Sequence, residues 1–123
     1  MSDKRILVVE DDPDGQEMIT TILRHMNFDV ETADDGEQAS QMIFRADAAY
    51  NAILIDLALP GKDGWDLLDE IMSNPDTEAL PCIAMTAYHT SKLREEALRA
   101  GFTAYFPKPV DGTSLGRELD QII

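Results

Sequence analysis

The sequence predicts an α/β protein with a doubly wound, five-stranded parallel sheet and helices on both faces. Two observations support this prediction. Short apolar runs rich in branched residues alternate with longer stretches of helical period, and the alternation continues from end to end without a Gly/Ser-rich linker. The 123 residues, 44 % of them hydrophobic and 28 % charged, have the size and composition of one globular domain. We therefore expect a single domain over residues 1–123.

The predicted strands are five apolar runs. They cover residues 6–9, 30–33, 52–55, 82–85 and 104–106. The first, third and fourth lack polar alternation, which is typical of strands covered on both faces of a sheet. Because crossovers between parallel strands are almost always right-handed, we expect an open sheet that binds ligands beyond the carboxyl ends of its strands.

Amphipathic stretches separate these strands. Pro13 suits the first turn of the first helix, and Gly101 suits a left-handed end of the fourth. Asp35 and Gln38 indicate a capping box at the start of the second helix. The apolar stripes are assigned to core packing; they comprise Met18, Ile19, Ile22, Leu23 and Met26, then Ala39, Met42, Ile43 and Ala46, then Trp65, Leu68, Ile71 and Met72, and finally Leu115, Leu119 and Ile122.

The charge balance limits the classes of partner. Acidic residues outnumber Lys plus Arg by 24 to 10, for a formal net charge of -14. Such a protein repels nucleic-acid backbones and anionic lipid, so we expect neither as a direct partner. The N-terminal MSDKR lacks the apolar region of a signal peptide, and no long apolar segment occurs, which favours a cytoplasmic protein.

The residues that commonly bind zinc are too sparse to form a site for it. Cys82 is the only cysteine, so it cannot form an internal disulfide, and we interpret it as a small buried strand residue. His25 and His89 are isolated and are interpreted as ordinary surface or boundary residues.

Polar residues follow four of the five predicted strands. They are Glu10, Asp11 and Asp12 after the first, Asp56 after the third, Thr86 after the fourth and Lys108 after the fifth. If the topology reverses between the first and third strands, then Asp11, Asp12 and Asp56 converge in one crevice. Three carboxylates there would repel one another without a cation. The sequence therefore predicts a metal site at this edge of the sheet.

The donor set of this predicted site indicates which metal it would bind. Oxygen ligands without sulfur or imidazole favour Mg2+, with Mn2+ as an alternative, over zinc or copper. Mg2+ characteristically combines a few carboxylates with waters and a phosphate oxygen, so we expect a phosphate ligand. Lys108 would place a positive charge beside that phosphate, and the Thr86 hydroxyl could donate a hydrogen bond to it. These are parts that phosphoryl transfer requires.

Four segments resemble the receiver domains of bacterial two-component response regulators such as the chemotaxis regulators. They are ILVVEDD at 6–12, ILIDLALPGKDG at 53–64, MTA at 85–87 and AGFTAYFPKP at 100–109. The resemblance extends over essentially the whole chain. It implies a flavodoxin-like fold with strand order 2-1-3-4-5 and a phosphorylation-activated switch.

Carried over to this sequence, the resemblance makes Asp56 the phosphoacceptor. The direct Mg2+ ligands would be Asp12, the Asp56 carboxylate and the Ala58 backbone carbonyl. Asp11 would act through a bound water. Family members often carry a larger or polar side chain where this chain has Ala58, but the metal uses only the carbonyl of that residue.

The resemblance also implies the parts of a conformational switch. Thr86 matches the hydroxyl residue that grips the phosphoryl group, and Lys108 matches the cation that pairs with it. Tyr105 matches the aromatic residue that turns inward afterwards, whereas a strand tyrosine taken alone indicates packing. The Lys108–Pro109 peptide is usually cis in this family. Tyr88 lies two residues beyond Thr86, and we hypothesise that it shields the aspartyl phosphate from water.

The expected partners follow from the same resemblance. A sensor histidine kinase or a histidine phosphotransfer protein would supply the phosphoryl group, and the surface of the fourth helix, fifth strand and fifth helix would control a downstream protein or output domain. The chain would catalyse only its own phosphorylation and dephosphorylation. We expect a monomer or a phosphorylation-dependent dimer. The MSDKR start favours a native N-terminus, but a stand-alone protein and a piece of a longer regulator both remain open.

Three alternative functions remain at this stage. A haloacid-dehalogenase-type phosphatase would carry a second acid two residues after the nucleophile, where this chain has Ala58. A flavodoxin-like cofactor binder would carry a Gly-rich loop after the first strand, which is absent from the sequence. A receiver that has lost phosphorylation would serve only as an interaction module, but the full set of acidic, hydroxyl and lysine residues argues against this.

Overall fold

A computed structural model describes residues 4–45 and 47–123 of the chain. Within them, five strands alternate with five helices. The elements are β1 Arg5–Val9, α1 Pro13–His25, β2 Asp29–Ala33, α2 Gly36–Ile43, β3 Ala52–Asp56, α3 Gly64–Met72, β4 Cys82–Thr86, α4 Ser91–Ala100, β5 Ala104–Pro107 and α5 Gly112–Ile122. Every predicted strand is present and is longer than predicted by one residue. Ala46, predicted for the stripe of α2, lies outside the described residues.

The strands form one parallel sheet in the order β2-β1-β3-β4-β5, which confirms the predicted topology. β1 lies between two neighbours, with Ile6 opposite Val30 of β2 and Ala52 of β3. All residues of β3 and β4 are buried, as their unbroken apolar runs predict. The chain winds outward from β1 in both directions, so the carboxyl ends of β1 and β3 meet at a topological switch point.

Two apolar clusters cover the two faces of the sheet. Successive strand side chains point to opposite faces, so Leu7 and Val9 pack with α2, α3 and α4, whereas Ile6 and Val8 pack with α1 and α5. Cys82 belongs to the first cluster, and burial raises the pKa of its thiol to about 12. The interpretation of this cysteine as a small buried strand residue is confirmed.

Side-chain caps and a glycine mark the helix boundaries much as the sequence predicts. Pro13 is the first residue of α1, and α4 ends at Gly101, whose φ is 124°. The Asp35 side chain accepts a hydrogen bond from the Gln38 N–H at 2.7 Å. The return contact differs from the predicted capping box, because Gln38 Oε1 accepts from the N–H of Asp34, one residue before the cap.

The predicted helix stripes are wrong at their margins. Met18 and Met72 are 50 % and 43 % exposed, whereas Leu67, which the α3 stripe omitted, is fully buried. Trp65 is half-buried and packs edge-on against Phe102, with ring centroids 5.8 Å apart. The width of a buried face depends on the neighbouring elements, which helical periodicity does not report.

Across the described residues, no helix combines the length and hydropathy that crossing a bilayer requires.

The loop after β3 is held against α2 and α3. Lys62 Nζ lies 2.6 Å from Glu70 Oε2 and 3.6 Å from Glu37 Oε1, and the Ser40 hydroxyl donates to the other oxygen of Glu70. A Cβ at Gly36 would collide with the backbone carbonyl of Lys62. Glycine at the start of α2 therefore lets this loop pack close to the helix.

Candidate functional site

Three carboxylates meet at the carboxyl ends of β1 and β3. One oxygen from each of Glu10, Asp11 and Asp56 lies within 4.8 Å of the other two. Glu10 is 1 % and Asp56 4 % exposed, whereas Asp11 faces solvent. A set of hard oxygen donors that is open on one side fits a cation that keeps several waters, as Mg2+ does.

Asp12 is not part of this cluster, which differs from the sequence prediction. Because α1 begins at Pro13, Asp12 is the N-cap, and its Oδ2 accepts a hydrogen bond from Gly15 N at 3.1 Å. Glu10 stands in its place. Val9 pairs with Ile55 across the β1–β3 ladder. The residues that follow them, Glu10 and Asp56, are therefore neighbours. The register between β1 and β3, which the local sequence does not contain, therefore identifies Glu10 as the member of the cluster.

Lys108 bridges the two buried acids. Its Nζ lies 2.6 Å from Asp56 Oδ2 and also contacts Glu10 Oε1. Burial and the hydrogen bond with Asp56 raise the pKa of Glu10 to about 7, although Lys108 acts in the opposite direction. Burial lowers the pKa of Lys108, but its hydrogen bonds to Asp56 and Glu10 outweigh burial and raise it. Lys108 is thus shared by two buried acids, and its single positive charge cannot balance two carboxylates.

The remaining contacts of Asp56 orient its carboxylate. Asp56 Oδ1 accepts a hydrogen bond from the Ala58 N–H at 2.9 Å, opposite the oxygen that binds Lys108. Ala58 itself is exposed in the loop after β3. A Cβ at Gly64 would lie 2.6 Å from the Asp56 carbonyl oxygen and 2.8 Å from Leu57 Cα. Any residue other than glycine at the start of α3 would therefore displace the peptide between Asp56 and Leu57.

Thr86 ends β4 at the same edge of the sheet and is 1 % exposed. Its hydroxyl oxygen accepts a hydrogen bond from Tyr88 N at 3.0 Å, so the hydroxyl proton remains available to a further acceptor. The carbonyl of Thr86 accepts from Lys108 N at 2.8 Å. The Lys108–Pro109 peptide is cis, as the resemblance implied. Tyr88 itself is 73 % exposed.

Tyr105 points inward and has a partner that the sequence did not indicate. It is 7 % exposed, and its hydroxyl lies 3.0 Å from His89 Nδ1 in the loop between β4 and α4. Burial raises the pKa of Tyr105. His89 is exposed, as predicted, but its interpretation as an ordinary surface residue misses this contact. No local sequence pattern links two residues that a whole helix separates.

The fold and the clustered residues together define a receiver domain. The family model of the response regulator receiver domain matches residues 6–120, and the chain belongs to this family. Receiver domains are signalling modules of two-component systems, and switching by phosphorylation is their general function.

Individual relatives extend the comparison. The chain is 31 % identical to the chemotaxis protein CheY-3 of Vibrio cholerae, over 96 % of this chain and 90 % of that protein. It is 37 % identical to the transcriptional regulatory protein QseB of Escherichia coli O157:H7, over 85 % of this chain but only 46 % of QseB. CheY-3 is thus matched over nearly its whole length, whereas more than half of QseB lies outside the matched region.

Solved structures show the same fold. A Chloroflexus aurantiacus protein described as a response regulator superposes with a TM-score of 0.90 at 30 % identity, covering 98 % of both chains. The receiver domain of the sensor histidine kinase PA1611 from Pseudomonas aeruginosa superposes with a TM-score of 0.85 at 34 % identity, again over 98 % of both chains. That structure holds a magnesium ion in its active-site cleft.

Proposed function

We propose that this chain accepts a phosphoryl group on Asp56 in an Mg2+-dependent reaction and thereby changes the surface that it presents to a protein partner. The observation that supports this most strongly is the position of the Asp56 carboxylate. It is buried at the end of β3, bonded to Lys108 on one oxygen and adjacent to the carboxylates of Glu10 and Asp11. A buried nucleophile beside a cation and a potential metal site suits phosphoryl transfer.

The donor set fits magnesium. Asp11, Asp56 and the Ala58 carbonyl would be the direct ligands, and Glu10, which is bonded to Lys108, would act through water. This assignment replaces Asp12, which caps α1. When bound, Mg2+ would supply positive charge that neutralises the carboxylates and the phosphoryl oxygens. The PA1611 receiver, which holds magnesium in its active-site cleft, supports magnesium as the metal, and Mn2+ has the same ligand preference.

The residues of the chain perform the remaining steps. An Asp56 oxygen forms the new bond to phosphorus while the phosphorus–nitrogen bond of a donor phosphohistidine breaks, and the leaving imidazole keeps that electron pair. Lys108 stays in the site to pair with the phosphoryl oxygens. The Thr86 hydroxyl donates a hydrogen bond to one of them, which draws the loop after β4 inward. Tyr105 follows this loop, and the surface of α4, β5 and α5 changes.

The phosphoryl donor is a sensor histidine kinase or a histidine phosphotransfer protein, and the target is a downstream protein or an attached output domain. The protein works in the cytoplasm, as a monomer or as a phosphorylation-dependent dimer. Its own chemistry is limited to phosphorylation and dephosphorylation of Asp56. A phosphatase acting on other substrates would need an acid at position 58, which holds alanine.

The decisive experiment is incubation with acetyl phosphate and Mg2+, followed by intact-mass measurement. We expect one phosphoryl adduct per chain, which requires Mg2+ and disappears in Asp56→Asn. Asp63→Asn is the matched control, because Asp63 caps α3 on the neighbouring loop and asparagine caps a helix equally well. An unmodified wild type would favour the interaction module that works without phosphorylation. Turnover of a small phosphomonoester at many equivalents per protein would favour the phosphatase.

Tyr88 is proposed to lengthen the life of the aspartyl phosphate. It follows Thr86 by two residues, and its N–H donates to the Thr86 hydroxyl, so its exposed side chain branches from the loop next to the proposed phosphoryl contact. Phosphorylated Tyr88→Ala should lose its phosphoryl group faster than phosphorylated wild type. Equal or slower decay would refute shielding.

A further inference from the structure

Gly15 lies in the first turn of α1, directly beside the Glu10 carboxylate. A Cβ at Gly15 would lie 2.8 Å from Glu10 Oε1, 3.3 Å from Glu10 Cδ and 3.3 Å from Asp12 Oδ2. The first of these distances is shorter than real Cβ atoms show. Any side chain at position 15 therefore requires Glu10 to move.

Glu10 is poorly placed to move. It is 1 % exposed, and Oε1, the atom nearest to Gly15, is the oxygen that contacts Lys108 Nζ. The same Nζ holds Asp56 Oδ2 at 2.6 Å. Displacing Oε1 would consequently disturb the lysine that bridges to the phosphoacceptor.

Neither the backbone nor helix stability explains a glycine at position 15. Among the described residues, the glycines with positive φ are Gly61 and Gly101 alone, so alanine could adopt the backbone of Gly15. Glycine is also among the least favourable residues within a helix. The remaining physical reason is space, because only a hydrogen atom fits beside Oε1.

We propose that Gly15 is a positioning residue for the phosphoryl-transfer site and forms a size-matched pair with Glu10. Glutamate carries its carboxylate one methylene farther from the backbone than aspartate, and the missing side chain at Gly15 provides the room for that reach. The pair sets where Lys108 lies between Glu10 and Asp56. The role in phosphoryl transfer rests on the proposed function, whereas the steric pairing does not.

The test combines Gly15→Ala with Glu10→Asp. The shorter aspartate side chain does not reach the position of Glu10 Oε1 and so leaves room for a Cβ at position 15. In metal-free protein, Gly15→Ala should lower the melting temperature by roughly 4 °C, because Glu10 is displaced. In the Glu10→Asp background the same substitution should raise it, because the 2.8 Å contact is gone and the gain in helix propensity outweighs the remaining 3.3 Å contact with the exposed Asp12 side chain. Gly116→Ala in α5 is the control for that gain, since a Cβ there would meet only the flexible end of Met26 at 3.2 Å.

Calorimetric Mg2+ titration provides the second measurement. Gly15→Ala should weaken Mg2+ binding about tenfold in the presence of Glu10. In the Glu10→Asp background the change should stay within about twofold. An effect of the same sign on the melting temperature in both backgrounds would overturn the proposed pair, even if Asp56 is phosphorylated normally. A wild type that does not bind Mg2+ would refute the proposed function. The steric pair would still be supported if, in metal-free protein, Gly15→Ala lowers the melting temperature with Glu10 present and raises it in the Glu10→Asp background.

Discussion

The hydroxyl of Tyr105 lies 3.0 Å from Nδ1 of His89, and the two rings are tilted with their centroids 5.5 Å apart. Tyr105 belongs to β5, whereas His89 lies in the loop that follows Thr86. The residue before His89 donates its N–H to the Thr86 hydroxyl. A movement of Thr86 toward a phosphoryl group would thus reach Tyr105 through three consecutive residues of one loop.

The His89–Tyr105 contact should appear as a coupling energy. We expect His89→Ala and Tyr105→Phe each to lower the free energy of unfolding by about 1 kcal/mol, because each removes the same hydrogen bond. The double variant should lose little more than one single variant, as urea unfolding will show. Tyr88→Phe removes an exposed hydroxyl and is the control. Fully additive losses would mean that the two groups do not interact in solution.

The reassignment of the metal ligands predicts opposite outcomes for two neighbouring aspartates. Asp11→Asn should weaken Mg2+ binding at least about tenfold, because it removes a carboxylate of the cluster. Asp12→Asn should weaken it at most about threefold, because asparagine keeps the cap of α1 and only a screened nearby charge is lost. Calorimetric titration compares the two directly. The reverse order would restore Asp12 as the ligand.

The contacts of Lys62 with Glu70 should make the stability of the protein depend on pH. Burial acts to raise the pKa of Glu70, but hydrogen bonds from Lys62 and Ser40 outweigh it and hold that pKa below its ordinary value of 4.5. A lowered carboxyl pKa contributes stability that is present above pH 4.5 and is lost as the pH falls through the folded-state pKa.

Lys62→Gln tests this dependence. At neutral pH the variant should unfold more easily than wild type, by about 1 kcal/mol, and the difference should shrink as the pH falls below the ordinary pKa of a glutamate. Urea unfolding across that range measures it. Lys92→Gln, at an exposed position of α4, should show no comparable change with pH. A difference for Lys62→Gln that stays constant into the acid range would contradict the coupling.

Thr20 on α1 carries a buried polar atom whose removal should stabilise the protein. Its residue is 8 % exposed, and Oγ1 has no hydrogen-bond partner among the described residues. Thr20→Val keeps the shape and removes the unsatisfied hydroxyl, so we expect a gain of about 1 kcal/mol in the free energy of unfolding. Thr21→Val, at an exposed neighbouring position, is the matched control and should gain little. Equal effects at both positions would point to helix propensity instead.

Local sequence patterns sufficed to predict the fold and most residues that the structure brings to the site. Unbroken apolar runs identified β1, β3 and β4, and the alternation of strands and helices placed the residues after β3, β4 and β5, namely Asp56, Thr86 and Lys108, at one edge of the sheet. These predictions succeed because strand burial and the direction of parallel strands leave a signal within a few consecutive residues. The prediction of the metal site from the sequence selected Asp12 in place of Glu10. Three successive acids follow β1, and their order alone does not show which side chains point into the site.

The sequence by itself determined the element order, the sheet topology and the residue types available for phosphoryl transfer. Only the tertiary structure decided that Glu10 joins Asp11 and Asp56, that Asp12 caps α1, that His89 meets Tyr105 and that Gly15 makes room for Glu10. The physical reason is that each of these outcomes depends on which atoms of other elements occupy the neighbouring space. Periodicity and spacing along one chain segment do not contain that information.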